Sequence, residues 1–190
     1  MFNQNELQNR FNCGEVIELA SPTVVLASAS PRRSRLLDAA GIKHVKVVST
    51  VNDSELNYKF AHDGIGESQA VEYVEQMALA KLAPFVGKIK NGAVITADTI
   101  IYCDGKILEK PLTVERCREQ HEFISGKTNI NYTGYAVYYN GKKLSRVMPT
   151  KVSVDVLPKE IIEQILLEPE ILDCAGYRNQ GNISNYLRFD

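Results

Sequence analysis

The spacing of apolar positions changes period many times along this chain, and each change marks an element. Thr23, Val24, Val25, Leu26 and Ala27 are apolar and largely β-branched, the pattern of a buried strand. Leu36, Leu37 and Ala40 then recur at helical spacing. Ser30 stands at the N-cap position, Pro31 at the first helical position and Gly41 just past the end, so residues 23–41 predict a strand, a turn and a short helix. A second strand follows at 44–48, and then a polar loop over 49–66 holding Asn52, Asp53 and Glu55. Ser68 opens a helix through Val71, Val74, Ala78 and Leu82, with Pro84 and Gly87 near its exit. Residues 93–97 predict another buried strand, delivering Asp98 and Thr99 at its carboxyl end before 100–103 continues extended.

Asp104-Gly105 predicts a tight hairpin returning through 106–108 to Glu109-Lys110-Pro111. Thr113 starts a helix through Cys117, His121 and Ile124 that stops at Ser125-Gly126. Residues 128–139 are aromatic and β-rich, and Asn140-Gly141 is the strongest hairpin signal in the chain. The returning strand ends in residues 152–156 with a period of two, and residues 158–168 form an amphipathic helix through Ile161, Ile162, Ile165 and Leu166. A glycine-punctuated loop covers 173–181. Residues 1–22, rich in Asn, Gln and Glu, are expected to be an N-terminal extension with a short helix near Glu6 to Phe11, ahead of a single domain over 23–190.

Composition narrows the possibilities. With 190 residues the chain can bury a sizeable core, and a net charge of −1 gives no broad electrostatic footprint for nucleic acid. No apolar run approaches the length of a membrane span and no signal sequence opens the chain, so a cytoplasmic protein is expected. Cys13, Cys103, Cys117 and Cys174 are scattered without a C-x-x-C pair, as buried or incidental thiols would be. The histidines are equally dispersed.

Candidate chemistry gathers at the first strand-to-helix turn. Ser28, Arg32 and Arg33 surround a helix start, where free N–H groups and the positive end of the helix dipole already favour an anion. Arginines are usually solvated, but cations in the first helical turn oppose the dipole, which favours an anionic partner such as a nucleoside triphosphate. Lys81 follows Ala78 by three and Val74 by seven, so it sits on or beside an apolar stripe; it either snorkels to water or reaches a phosphate site. Asp98 is a carboxylate inside an apolar run, where an isolated charge is too costly to leave unpaired.

In order and spacing the motifs resemble the Maf-type nucleotide pyrophosphatases, also called septum-formation-inhibitor proteins, over roughly residues 23–184. They are L-A-S-x-S-P-R-R at the opening turn, Y-V-x-x-x-A-x-x-K ending at Lys81, A-D-T at 97–99, L-E-K-P at 108–111, S-G-K-T with a later T-G at 125–134, and A-G with a following Q-G at the tail. The resemblance implies a mixed, twisted α/β sheet with helices on both faces and a central nucleotide cleft. It also implies a metal-dependent hydrolase that splits a nucleoside triphosphate into a monophosphate and pyrophosphate, using Mg²⁺ or Mn²⁺, and a homodimer.

Ser28, Arg32, Arg33, Lys81 and Lys110 would hold the triphosphate. Asp98 would be the general base or a metal ligand, with Asp53 and Glu55 as further ligands. Arg32, Thr99 and Gln180 occupy the three positions that separate branches of the family, and here they look like the branch acting on dTTP and UTP. The alternatives are a branch with another base preference, such as 7-methyl-GTP, and a non-catalytic nucleotide-binding regulator of cell division. Two departures stand out. The loop after the second strand has Asn52-Asp53 where the family usually has an acidic pair. Relatives also continue past the Q-G loop into a strand and a final helix, whereas this sequence ends at Asp190 and is one residue shorter between Gly176 and Gln180.

Overall fold

The computed structural model describes residues 4–51 and 63–190. Asn52, Asp53 and Glu55 lie outside the described residues. Among these residues the chain forms a mixed α/β structure of five α-helices and seven strands, in one sheet ordered β2-β1-β3-β5-β6-β7 with β4 paired to β3. The described residues divide into two units, 4–51 with 75–98 and 134–147, and 63–74 with 99–133 and 148–190.

The first unit begins with α1 (Gln4–Asn12) and β1 (Ile17–Leu26), so residues 4–22 supply a helix and the first part of a strand. Leu7 and Phe11, four apart on one helix face, are both buried. Phe11 stacks on Phe85 with ring centroids 4.1 Å apart. Around that stack Ile17, Val25, Val47, Ala78, Leu82 and Val94 close the core of this unit. β1 runs parallel to β2 (His44–Lys46) and to β3 (Ile89–Cys103). Between β1 and β2 lies α2 (Pro31–Ala39). Its exit is as predicted: the Gly41 N–H donates to Asp38 O at 2.9 Å and the Ile42 N–H to Leu37 O at 2.9 Å. That paired closure needs the positive φ of 70° that Gly41 adopts without strain.

The apolar stripe predicted on α2 is not buried. No residue of this helix is buried, and Leu36 is 69% exposed. Ser30 also holds the N-cap position without making a side-chain cap. The long helix α3 (Glu67–Leu82) starts one residue before the expected cap Ser68, and its entry is fixed instead by the Gly66 N–H donating to Gln69 Oε1 at 2.9 Å.

In the second unit, α4 (Val114–Ile124) is capped as expected, with the Arg116 N–H donating to Thr113 Oγ1 at 3.2 Å. α4 and α5 (Lys159–Leu166) bury Cys117, Ile124, Ile162 and Ile165 with Ile101, Val152, Val154 and Leu187. β4 (Lys106–Leu108) returns on β3 through Asp104 and Gly105, at φ 47° and 77°. Asn140 and Gly141, at φ 47° and 78°, turn β5 (Thr128–Tyr139) into β6 (Lys142–Val154). Positive φ at both central residues matches the right-handed twist of the flanking strands, and that is why these two dipeptides were legible as hairpins. After the Q-G loop the chain does form a strand, β7 (Leu187–Phe189), antiparallel to β6.

Candidate active site

The turn that leaves β1 holds the first cluster. Ser28 is buried, and its Oγ accepts two hydrogen bonds, from the Ser30 N–H at 3.2 Å and from Arg33 Nη1 at 3.2 Å. One hydroxyl therefore fixes the turn and aims a guanidinium. Pro31 sets the first helical φ and brings no N–H, and the first turn of α2 contains no acidic residue. Arg32 is half-buried beside it. Two guanidinium groups in the first turn of a helix, where free N–H groups and the positive end of the dipole lie, suit this helix start to an anion.

Asp98 and Lys81 form the second cluster. Along β3 the residues Val94, Thr96 and Asp98 share one face by the two-residue period of a strand. Thr96 Oγ1 donates to Ala78 O of α3 at 2.7 Å, and two strand residues further on Lys81 Nζ meets Asp98 Oδ1 at 2.5 Å. Ala78 and Lys81 are three apart on one helix face, so strand and helix step along each other in matched contacts. Both charged side chains are largely buried, at 14% and 16% exposure, which removes the snorkelling reading of Lys81. The Ser49 hydroxyl donates to Lys81 O at 3.1 Å and fastens the chain after β2 to the same helix turn.

Register brings these clusters together. β1 pairs with β3 at Leu26↔Ile95, and the Ala27 N–H donates to Ile95 O at 2.8 Å. Ser28 is two residues past Leu26 and Asp98 three past Ile95, so both lie at the carboxyl end of β1. That is the usual ligand end of parallel strands. Asp98 and Thr99, expected at the carboxyl end of a strand over 93–97 with 100–103 continuing extended, lie instead inside β3, which is one strand of 15 residues from Ile89 to Cys103. The ligand end is defined by β1 and β2 stopping, not by β3.

Thr99, Lys110 and Gln180 belong to the second unit. Thr99 Oγ1 is 3.2 Å from Thr133 Oγ1. Lys110 is exposed, on a segment anchored by Glu109, whose carboxylate accepts from the Tyr73 hydroxyl and whose backbone O accepts from Gln120 Nε2 at 3.0 Å. Gln180 is exposed on its loop. The motif spacing gave Tyr73 and Glu109 no role, because their partnership spans 36 residues and has no local signature.

Asp98 is the one residue of the expected metal set among those described, and no group of three His, Cys, Asp or Glu side chains suited to a metal ion occurs among the described residues. The chemistry still fits Mg²⁺. That ion is usually held by one or two carboxylates together with substrate phosphates and water. The four cysteines are free thiols, and three of them are buried.

An α/β chain whose parallel strands end at a hydroxyl–guanidinium turn and a lysine–aspartate pair has the architecture of a phosphate-binding protein. Residues 23–187 match the family model described as Maf-like protein, and the chain belongs to that family. It is 31% identical over 159 residues to a protein of Acholeplasma laidlawii named dTTP/UTP pyrophosphatase, covering 83% of this chain and 80% of the relative. A Pyrococcus abyssi protein of the same name is 32% identical over 167 residues, covering 87% and 83% respectively. A Bacillus cereus protein, also so named, is 32% identical over 166 residues, covering 87% of this chain and 77% of the relative.

Proposed function

We propose that this protein is a nucleoside triphosphate pyrophosphatase that hydrolyses the α–β anhydride of dTTP and UTP, giving the nucleoside monophosphate and pyrophosphate. The observation that carries this reading is the Lys81–Asp98 pair at 2.5 Å, set at the end of β1 where Ser28 holds Arg33. Arg32, Arg33, Lys81 and Lys110 bind the triphosphate. Arginine grips phosphate oxygens in a bidentate fork, and lysine follows them as a mobile point charge. Ser28 keeps the turn open for the anion.

An incoming phosphate oxygen competes with Asp98 for the Lys81 ammonium. Transfer of Lys81 to phosphate frees Asp98 to accept a proton from water as the water oxygen bonds the α-phosphorus and the bond from that phosphorus to the bridging oxygen breaks, while the cations balance charge on the departing pyrophosphate. Arg32, Thr99 and Gln180 read the pyrimidine; a glutamine amide can both donate and accept along a base edge. Asp98, with Asp53 and Glu55, would hold Mg²⁺ or Mn²⁺, which supplies neutralisation of the phosphate charge when bound. The same reading has the protein act in the cytoplasm, as a homodimer, on free nucleotide rather than on nucleic acid or a membrane. The net charge of the chain is −1, and among the described residues no helix is long and apolar enough to cross a membrane.

A substrate panel tests it. With Mg²⁺ or Mn²⁺ the protein should convert dTTP and UTP to dTMP and UMP with release of pyrophosphate, faster than it converts ATP, GTP or 7-methyl-GTP. Asp98→Asn should lower kcat by about 10²-fold or more while nucleotide still binds. Binding by calorimetry without any product from the wild-type protein would show a nucleotide-binding regulator instead.

A further inference from the structure

The loop that carries Gln180 is fastened to one carboxylate. Glu168, just beyond α5, accepts the Asn182 N–H on Oε1 at 2.5 Å. Its Oε2 is buried with no hydrogen-bond partner among the described residues, and it faces Gly181: a Cβ built there would collide with both carboxylate oxygens. The neighbouring contacts close on the same segment. Asn182 Nδ2 donates to Gln164 O at 3.2 Å, in the last turn of α5, and Arg178 Nη1 donates to Pro169 O at 2.6 Å. Within the loop the Gly181 N–H donates to Arg178 O at 3.0 Å and the Ser184 N–H to Gly181 O at 2.9 Å. Residues 178–182 are thus tied down on both sides of Gln180, while Gln180 itself is exposed and its side chain has no hydrogen-bond partner among the described residues.

We infer that Glu168 is a positioning residue for substrate selection: it acts through the Asn182 N–H and the bare Cα of Gly181 to hold Gln180 in the pose that discriminates the base. This rests on the proposed reading of Gln180 as a base contact. A carboxylate oxygen makes a strong, short bond to a backbone N–H, and a charged acceptor is worth roughly twice a neutral one. Such a bond orders the backbone next to the reading side chain in advance of binding, and a loosely supported reading group loses discrimination before it loses the reaction. Glu168 and Gly181 form a matched pair, because the carboxylate occupies the space that any larger side chain at 181 would need.

The test measures kcat and KM separately for UTP, dTTP, ATP and GTP on wild-type protein, Glu168→Ala, Glu168→Gln and Gly181→Ala, with thermal melting of each. The expected result for Glu168→Ala is a rise in KM for UTP and dTTP. Its ratio of kcat/KM for UTP over ATP should fall about tenfold. Glu168→Gln retains an oxygen that can accept the Asn182 N–H and should restore most of the ratio. Gly181→Ala, which displaces the carboxylate from the other side, should lose it as Glu168→Ala does, and it serves if Glu168→Ala does not fold. Equal losses for all four nucleotides, or a Glu168→Gln variant no better than Glu168→Ala, would overturn the inference and leave the proposed function standing. Wild-type protein that hydrolyses none of the four would overturn the proposed function, and the positioning role with it.

Discussion

Lys81 and Asp98 face each other because a strand period of two and a helix period of 3.6 stay in step over the contacts Thr96–Ala78 and Asp98–Lys81. Each charge is largely withdrawn from water, and the two meet at 2.5 Å. Removing one partner takes a close opposite charge away from a mostly buried group, a change that costs about 3 kcal/mol in comparable sites. We expect Lys81→Ala and Asp98→Ala each to lower the urea midpoint clearly, and the double variant to lose less than the sum of the two; additive losses would show that the pair contributes nothing as a pair. At the turn, Arg33→Ala should raise KM for every triphosphate, because Ser28 aims this guanidinium. Replacing Arg32 should also change the UTP to ATP ratio, and the same loss across all nucleotides for both variants would refute that division.

These side chains were legible because each lies within a few residues of a strong local signal: a strand end, a proline at a helix start, a carboxylate in an apolar run. Tyr73, Glu109 and Glu168 were not. Their partners are brought together only by the fold, at separations of 36 residues for Tyr73 and Glu109 and 14 for Glu168 and Asn182.

At the level of elements, local chemistry again separates what could be read from what could not. The hairpin turns, the Gly41 exit of α2 and the Thr113 cap of α4 follow from residues adjacent in sequence. Thr113→Ala should therefore cost about 1 kcal/mol, measured by denaturant unfolding. α1 is harder to weigh from sequence, since its polar composition hides two apolar positions, Leu7 and Phe11, that join the core of its unit, Phe11 by stacking on distant Phe85. The Phe11–Phe85 stack makes that helix part of the core of its unit. Phe11→Ala should destabilise by about 3 kcal/mol, whereas a helix lying loose on the surface would give almost no change. The exposed Leu36 shows the converse error: helical spacing of leucines records a periodicity and does not by itself say that anything covers it. In the sequence β3 reads as two stretches because Asp98-Thr99 interrupts its apolar run, yet the strand continues through both residues, since extended backbone does not depend on an apolar side chain.

For the molecule as a whole, acid sensitivity has an identifiable source. His121 is fully buried in the last turn of α4, with Nδ1 2.7 Å from Cys117 O. Burial holds its pKa below the ordinary value, against smaller upward pulls from that carbonyl and from Glu168. The unfolded chain therefore binds the proton more readily than the native one, so this histidine's contribution is complete above about pH 6.5 and is lost as the pH falls below it. Urea unfolding of the wild-type protein at pH 7.5 and pH 5.5 should show that loss, and His121→Leu should show a shallower dependence. A slope unchanged in the variant would assign acid sensitivity to the carboxylates.

The distribution of sulfur has a practical consequence. Cys13 is exposed, whereas Cys103, Cys117 and Cys174 are buried in the second unit, with the Cys103 thiol pushed up by burial and the Cys117 thiol pushed up to about 11. Reaction with a maleimide requires both access and thiolate, so the native protein should take up one label promptly. Full denaturation should raise the stoichiometry to four, the number of cysteines in the chain. The slow appearance of a second, third and fourth label under native conditions then becomes a clock for openings, local or global, that expose that unit, readable by mass spectrometry. A dye on Cys13 would leave those three thiols untouched as the silent half of the same measurement.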